Sequence, residues 1–196
     1  TKTKKVKYKS NINVIKNFKK ISNIPVVAIG GINNIQFEGK KIKYKNIKSN
    51  RLIKKILSNS TIIFTGYQRK SNINEKDKIS KIKKNKTQLR EIYNIANEAN
   101  KILKKNSEEG FFEICSLMRE NWKLKKELSN LVSNSFIDDL YRYALNNGAV
   151  AGKILGAGGG GFMLLISKSN RDKNKLIKKL NKFDNLSYKP ENKGTH

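Results

Sequence analysis

The residues whose types and spacing point most clearly to chemistry are the glycines near the end of the chain. Five of the six positions in residues 156–161 are glycine, and only Ala157 interrupts the run. Glycine loses more conformational entropy on folding than any other residue, so such a run is costly unless the backbone needs positive φ or must approach a ligand closely. The run therefore predicts a flexible loop that lines a cleft. The alternative is a tight helix-to-strand connection that packs against a neighbouring element.

A phosphate loop of the Walker type is not supported by the residues directly after the glycines. In that motif a helix begins right after the loop, so that free N–H groups and the helix dipole meet the anion. Here residues 162–166 are apolar and predict a strand, and the run lacks a Gly-Lys-Ser or Gly-Lys-Thr ending. The sequence thus predicts a cleft loop of another kind.

Cysteine and histidine are too scarce for several common kinds of active site. Cys115 is the only cysteine and His196 the only histidine. The sequence therefore offers no intrachain disulfide, Cys-His pair, Ser-His-Asp triad or multi-histidine metal site. We expect no metal site within the chain. A single reduced cysteine also fits a cytoplasmic location.

The chain is strongly basic, with 43 Lys and Arg residues against 15 acidic residues and a net charge of +28. Of these 43, 37 are lysines spread along the chain, whereas proteins that read bases and phosphates favour arginine. Lys, Asn and Ile make up 87 of the 196 residues, and all three have A/T-rich codons. Genome composition explains the charge better than nucleic-acid binding does, so we do not expect a nucleic-acid partner.

No stretch of the sequence suits a membrane or a secretory signal. The longest apolar runs, residues 24–29 and 162–166, are too short to span a bilayer. No long apolar segment comes after the basic start of the chain. We therefore expect a cytoplasmic protein without a membrane partner. The oligomeric state is left open.

The rest of the chain predicts helices and strands in a mixed order. Apolar spacing predicts strands over residues 24–29, 35–37, 41–47, 61–66, 162–166 and 186–189, and helices over residues 13–21, 51–57, 87–105, 111–131, 135–146 and 170–182. The helix before residue 146 opens at Asn134 or Ser135, and Ser135 with Asp138 forms a pattern like a capping box. Residues 67–86 are polar and Lys-rich and predict a mobile loop. Three helices in a row between strands predict an α+β fold with an antiparallel sheet.

Residues 152–165 read Gly-Lys-Ile-Leu-Gly-Ala-Gly-Gly-Gly-Gly-Phe-Met-Leu-Leu. This segment is similar to the third, C-terminal motif of the GHMP kinases, which include galactokinase and mevalonate kinase. Residues 62–69, 122–129, 137–141 and 147–153 resemble, in the same order, segments of the heptose 7-phosphate kinase branch of that family. The resemblance covers about residues 30–196. It implies a ferredoxin-like α+β domain with an antiparallel sheet and helices on one face.

The resemblance also implies an activity, namely ATP-dependent phosphorylation of a sugar or sugar phosphate, with Mg²⁺-ATP in a cleft between two domains. Such catalysis is largely positioning and charge stabilisation at the transferring phosphoryl group. By this resemblance Thr65, Gly66 and Arg69 are candidate contacts to a sugar phosphate. The alternative for Thr65 and Arg69 is a strand-terminal threonine and a solvated arginine. The residues implied to face the phosphates and the substrate are Lys153, Gly156, Ala157, Gly158, Gly159, Gly160 and Gly161.

The sequence departs from the family pattern at two functional segments. The family's nucleotide loop, a Pro-x-Gly-x-Gly-Ser-Ser-Ala motif in the N-terminal half, is absent. The family's Gln-Asp-Gln segment, whose Asp is a candidate catalytic group, would fall at residues 22–24, where Asn23 cannot act as a base. We therefore expect the chain to need an N-terminal kinase half as a partner, and the catalytic residue is left unassigned.

The first 33 residues resemble a different family, thiamine-phosphate synthase. That family has a Thr-x-Thr-Lys pyrophosphate loop, a helix, and a strand that ends in Gly-Gly-Ile, and it is a barrel with ligands at the strand ends. Thr1, Thr3, Lys4, Gly30 and Gly31 fit those places as an alternative pyrophosphate site. The sequence thus predicts two parts, residues 1–33 and residues 34–196. The alternative for residues 1–33 is a diverged kinase strand and helix.

These observations lead to three candidate functions. The first is the C-terminal part of an ATP-dependent sugar-phosphate kinase, incomplete by itself. The second is a remnant of a thiamine-phosphate synthase that binds pyrophosphate. The third is a basic, non-enzymatic module that binds nucleic acid.

Overall fold

A computed structural model gives the fold of residues 31–38, 41–67, 77, 78, 80–186 and 188. The chain divides into two compact units, one of residues 1–48 with 189–196 and one of residues 49–188. The sequence-based division after residue 33 rests on family resemblance rather than on packing, and it stays a prediction. The helix and strand predicted over residues 13–29 lie outside the described residues.

The described part of the first unit is a two-stranded antiparallel hairpin. Strands β1 (Asn33–Glu38) and β2 (Lys41–Asn46) pair from Asn33 opposite Asn46 to Glu38 opposite Lys41. The amide of Ile47 donates to the carbonyl of Ile32 at 2.7 Å and extends the pairing by one step. The strands predicted over residues 35–37 and 41–47 are therefore confirmed, and they pair with each other.

The second unit contains an antiparallel sheet of four strands. They are β3 (Ser60–Phe64), β4 (Ala149–Ile154), β5 (Phe162–Ser167) and β6 (Asn185–Leu186), in the spatial order β4-β5-β3-β6. Every neighbouring pair is antiparallel. Together with the helices between the strands, this confirms the predicted α+β class.

Strand β4 was not predicted as a strand from the sequence. Its six residues, Ala-Val-Ala-Gly-Lys-Ile, include two alanines and a glycine, which are depleted in strands. Gly152 lies inside it because a Cβ there would come within 2.7 Å of the carbonyl oxygen of Leu164 on the neighbouring strand. Packing against β5 thus overrides weak local propensity.

The second unit also contains five helices in the described residues. They are α1 (Arg51–Ser58), α2 (Lys86–Lys105), α3 (Gly110–Glu127), α4 (Ser135–Asn146) and α5 (Asn170–Lys179). All five match predicted helices, but α5 ends before the predicted residue 182 and α3 before the predicted residue 131. The chain then turns, because the amide of Val132 donates to the carbonyl of Ser129 at 3.1 Å.

The start of α4 differs from the capping box predicted for Ser135 and Asp138. The cap is Asn134, whose side-chain oxygen accepts from the amide of Ile137 at 2.9 Å. Asp138 instead accepts from Lys126 Nζ at 3.0 Å. An asparagine side chain can accept from the free amides of a first helical turn as well as a serine can. Asn134, one residue before Ser135, is therefore the N-cap.

Two apolar clusters form the core of the second unit. The larger one packs the sheet against α4, α5 and the end of α3, and its fully buried members include Ile63, Trp122, Ile137, Met163 and Leu176. The smaller one contains Leu52, Ile102, Phe111, Ile114, Cys115, Ala151 and Ile166. Because α3 contributes to both clusters, it fixes the segment after it against the sheet. Among the described residues, none of the helices is both long and apolar enough to cross a membrane.

Candidate functional site

The glycine loop, residues 155–161, joins the antiparallel strands β4 and β5. The amide of Leu155 donates to the carbonyl of Phe162 at 2.8 Å and closes the loop at its base. The alternative of a helix-to-strand connection is therefore wrong, because a strand lies on each side of the glycines in the sequence. The loop extends from the end of the sheet.

All five glycines of the loop have positive φ, between 74° and 143°. At Gly160 the φ is +143°, and a Cβ would lie 2.3 Å from the backbone oxygen of Tyr67. At Gly158 a Cβ would lie 2.9 Å from the backbone oxygen of Val132. The run therefore meets the first condition, a left-handed backbone, and at two positions glycine also leaves room for a neighbouring chain segment.

Thr65 and the residues after it bind one side of the loop. The Thr65 amide and its Oγ1 each donate to the carbonyl of Gly161 at 2.9 Å. The amide of Gly161 donates to the carbonyl of Tyr67 at 2.6 Å. Thr65 is only 2% exposed, so its hydroxyl is committed to the loop. The structure thus brings Thr65 and Gly66 to the glycine loop.

The segment between α3 and α4 forms the other side of the loop. The carbonyl of Val132 accepts from the amide of Gly159 at 2.7 Å. The same segment is fixed from α2, because Asn85 Nδ2 donates to the carbonyl of Leu128 at 2.9 Å. Ser129 Oγ in turn donates to the carboxylate of Asp77. Sequence reasoning did not find this support, because residues 67–86 predicted a mobile loop.

Part of that loop prediction is wrong. Asn85 is 6% exposed and Asp77 is fixed by Lys81 at 2.8 Å as well as by Ser129. Residues 68–76 and 79 lie outside the described residues, and with them Arg69. The one available signal was Asp77 four residues before Lys81, a helical ion-pair spacing.

Two lysines donate hydrogen bonds to the glycine loop, and a third lies beside it. Lys125 Nζ donates to the carbonyl of Gly156 at 2.6 Å. Lys78 Nζ donates to the carbonyl of Ala157 at 3.1 Å. Lys153 lies on β4, two residues before the loop, and is partly buried. Of the three, only Lys153 was predicted.

The surroundings of the loop lower the pKa of two of these lysines, Lys125 and Lys153. The pKa of Lys125 is lowered to about 8, first because burial penalises the charged ammonium and then because Lys153 and Lys78 repel it. Burial also lowers the pKa of Lys153. A bound anion would reverse both effects, because an opposite charge favours the ammonium form.

This lowered pKa predicts a pH dependence of stability. Between about pH 8 and pH 10.5 the unfolded chain keeps a proton on Lys125 that the folded chain loses, so the free energy of unfolding should rise with pH. Urea unfolding of the wild type and of Lys125→Met checks this, since the variant lacks the titrating group. The wild type should gain stability relative to the variant as the pH rises. Lys123→Met, on the exposed side of the same helix, is the control and should behave like the wild type. A pH-independent difference between wild type and Lys125→Met would contradict the prediction.

The remaining predicted site residues lie outside the described residues or in the other unit. Asn23, Thr1, Thr3, Lys4 and Gly30 lie outside the described residues. Gly31 has a φ of +68° and belongs to the other unit. The alternative pyrophosphate site therefore stays a prediction.

Other kinds of chemistry find no support in the described residues. Cys115 is buried, and burial raises the pKa of its thiol to about 11, which disfavours a nucleophilic thiolate. No group of three or more His, Cys, Asp or Glu side chains there could hold a metal ion. The glycine loop with its lysines is the arrangement that points to a ligand, and that ligand would be an anion.

Comparison with known proteins identifies the domain. Residues 99–185 match the family described as GHMP kinases C terminal. The D-glycero-alpha-D-manno-heptose 7-phosphate kinase of Campylobacter jejuni is 30% identical over 157 residues, which is 79% of this chain and 46% of that protein. A crystal structure of a D-glycero-D-manno-heptose 1-phosphate kinase from Bacteroides thetaiotaomicron shares the fold, with a TM-score of 0.58 and 20% identity over 86% of this chain and 45% of that chain. The chain thus spans under half the length of these kinases.

A short second similarity agrees with the resemblance noted for the start of the chain. A thiamine-phosphate synthase of Pelagibacter ubique is 59% identical over 32 residues, which is 16% of this chain and 16% of that protein. The kinase similarity covers far more of the sequence, includes the glycine loop and matches the fold. The family resemblance drawn from the glycine motif is confirmed, because residues 99–185 match the C-terminal domain of the GHMP kinases and the chain is similar to a heptose 7-phosphate kinase.

Proposed function

We propose that this chain is the C-terminal part of an ATP-dependent kinase that phosphorylates a hydroxyl of a sugar phosphate. The observation that carries the proposal is a glycine loop with positive φ that is contacted by lysine ammonium groups, in a domain related to a heptose 7-phosphate kinase. Phosphoryl transfer needs little covalent chemistry from the protein and much positioning and charge stabilisation. Lysines and backbone amides supply both.

The described residues fit the phosphates of ATP better than they fit its metal ion. Lys125, Lys153 and Lys78 offer positive charge beside a backbone on which, over residues 156–161, only Ala157 has a side chain. Mg²⁺ usually takes one or two carboxylates together with substrate phosphates. Because these residues contain no acidic cluster, we propose that Mg²⁺ enters on the nucleotide.

Each part of the site has its own role in this proposal. The glycine loop lets the backbone approach the transferring phosphoryl group. Thr65 positions the loop through Gly161, rather than touching the sugar phosphate, because its hydroxyl is already bonded and buried. Arg69 remains a candidate contact to the sugar phosphate.

The proposal includes a missing partner. Since the chain spans 46% of the Campylobacter kinase, the nucleotide loop and the catalytic carboxylate would come from an N-terminal half. The two other functions are less well supported. The synthase similarity covers 16% of the chain, and the lysines of the loop converge on one site rather than forming a nucleic-acid track.

A complementation assay tests the kinase proposal. The chain is expressed with the N-terminal half of the Campylobacter kinase, and ADP formation is measured with heptose 7-phosphate and with other sugar phosphates. We expect ADP formation that requires both halves and a sugar phosphate. The same N-terminal half with its own C-terminal half is the control. If that control is active and this chain restores no turnover with any sugar phosphate, the proposal fails.

A further inference from the structure

Helix α4 has a surface composition unlike that of the other helices. Residues 127–152 contain no lysine, and this is the longest lysine-free run in a chain of 37 lysines. Each of the other four helices described carries at least two lysines, and α5 has four in ten residues, whereas the twelve residues of α4 have none. The exposed side of α4 therefore differs from the ordinary solvated surface of this protein.

The genome composition makes this difference informative. Lys, Asn and Ile supply 87 of the 196 residues, as expected where A/T-rich codons fill exposed positions that have no other requirement. The exposed positions of α4 instead hold Ser135, Phe136, Asp139, Arg142, Tyr143 and Asn146. Interfaces between proteins are enriched in aromatic residues and arginine and depleted in lysine. The exposed side of α4 thus has the composition of a surface that contacts another protein.

Two aromatic side chains on this side of α4 are only half covered by the chain itself. Phe136 and Tyr143 are each 45% exposed. They lie seven residues apart, which is two helical turns or about 10 Å along the axis, so they lie on the same side of the helix. Phe136 contacts the partly buried Phe183, with ring centroids 6.3 Å apart, and is thereby attached to the larger core cluster. Aromatic residues held in this way are typical anchors of protein interfaces.

The charged residues between these two aromatic residues are self-complementary. Arg142 Nη1 contacts Asp139 Oδ1 at 3.0 Å, and the two side chains are 70% and 67% exposed. An ion pair with that exposure contributes little to the stability of a single chain. The same two residues can pair across a two-fold axis, where a contact of one residue with another is repeated in reverse by symmetry.

A single two-fold axis brings both sets of residues together. When two α4 helices pack antiparallel with the axis beside Leu140, residue 136 of one copy lies opposite residue 143 of the other. Residue 139 then lies opposite residue 142, to within one residue. Each aromatic ring is covered by a ring of the other copy, and each aspartate meets an arginine.

The charge of the whole chain favours this surface for self-association. Each copy carries a net charge of +28, so two copies repel each other through their lysine-rich faces. The repulsion is smallest at α4, which has two aspartates, one arginine and no lysine. An acidic partner of another kind would prefer the lysine-bearing helices.

We propose that two copies of this chain associate through α4 in an isologous dimer. In this dimer Phe136 packs against Tyr143 of the other copy, and Asp139 pairs with Arg142 of the other copy. The dimer does not depend on the kinase activity proposed above, because neither the glycine loop nor its lysines take part.

The test is sedimentation equilibrium of the 196-residue chain from about 1 μM to about 1 mM, the concentration range of weak specific association. We expect the wild type to form a dimer within this range. Asp139→Arg places arginines opposite arginines, and Arg142→Asp places aspartates opposite aspartates, so each variant alone should dimerise at least about tenfold more weakly. An equimolar mixture of the two variants restores both ion pairs and should dimerise about as well as the wild type.

Glu98→Arg on α2 is the matched control. Glu98 forms an exposed ion pair with Lys101 at 3.2 Å, with the same three-residue spacing as Asp139 and Arg142. The substitution changes the net charge as Asp139→Arg does, and it should leave the dissociation constant within about twofold of the wild type. Phe136→Ala should weaken the dimer about tenfold or more, since it removes an anchor from both copies. Circular dichroism shows whether each variant is folded.

The proposal is overturned if the wild type stays monomeric, or if either charge variant dimerises as well as the wild type. It is equally overturned if Glu98→Arg weakens the dimer as much as Asp139→Arg, or if the mixed charge variants stay monomeric. A monomeric wild type together with lower ADP formation by Phe136→Ala in the complementation assay would assign this surface to the N-terminal half instead. Sedimentation needs no turnover, so the dimer and the kinase activity can fail separately.

Discussion

Replacement of Gly160 by alanine will cost the domain about 2–4 kcal/mol of folding free energy, from backbone strain together with overpacking. The new Cβ would lie 2.3 Å from the backbone oxygen of Tyr67, at a φ of +143° that L-residues rarely adopt. A backbone atom cannot move aside as a flexible side chain can. The Gly161 amide donates to the same Tyr67 oxygen at 2.6 Å, and this hydrogen bond would break as the two segments move apart. Urea unfolding of the wild type and the variant measures the cost.

Gly156→Ala is the matched control, because it introduces the same methyl group into the same loop. Gly156 has a φ of +74°, and nothing lies within 4 Å of a Cβ built there. Only the left-handed backbone penalty remains, about 1–2 kcal/mol. Equal losses for the two variants would show that the contact with Tyr67 does not constrain the loop.

Trp122→Ala will destabilise the domain by about 3–5 kcal/mol, the range for removing a large aromatic side chain from a core. Trp122 is 1% exposed and belongs to the larger cluster, with Val132, Ile154 and Met163. It lies one turn before Lys125 on α3, so its loss will also loosen the attachment of that lysine to the loop. Equilibrium unfolding gives the stability, and titration with inorganic phosphate under conditions where the variant remains folded gives the second effect.

Phe112→Ala on the same helix provides the comparison. Phe112 is 50% exposed, whereas its neighbour Phe111 is fully buried. Its removal should change stability by well under half of the Trp122 effect, since surface substitutions are usually within about 0.5 kcal/mol and only its edge contact with Phe111 is lost. A loss as large as that of Trp122→Ala would mean that α3 is stabilised mainly from its outer side.

The sequence was most informative where local rules and packing agree. The five helices have clear apolar spacing, and the glycine run has too many glycines for anything but a special backbone. Burial within a predicted helix is harder to read from the sequence, since Phe112 belongs to the apolar pattern of residues 111–131 and is half exposed. Neighbouring residues on a helix point in different directions, so Phe111 and Phe112 do not both face the protein core. The apolar pattern alone does not show which of the two is buried.

The support of the site could not be read from the sequence, for identifiable reasons. Lys125 and Lys78 are two of 37 lysines, and no local feature separates them from solvated ones. The difference lies in their contacts with Gly156 and Ala157, 31 and 79 residues away along the chain. Strand β4 was not predicted because alanine and glycine have little strand propensity by themselves. Both features depend on long-range packing.

The positive φ of every glycine in the loop also limits which codon changes the loop can tolerate. An L-amino acid at any of these five positions would adopt a backbone conformation suited to the opposite chirality. Glycine codons begin with two guanines, whereas the Lys, Asn and Ile codons that supply 87 of the 196 residues are rich in A and T. Mutation toward A and T would replace these glycines by chiral residues such as arginine, serine, aspartate or glutamate. In this loop, mutation toward A and T would therefore introduce side chains that the positive φ of the backbone disfavours.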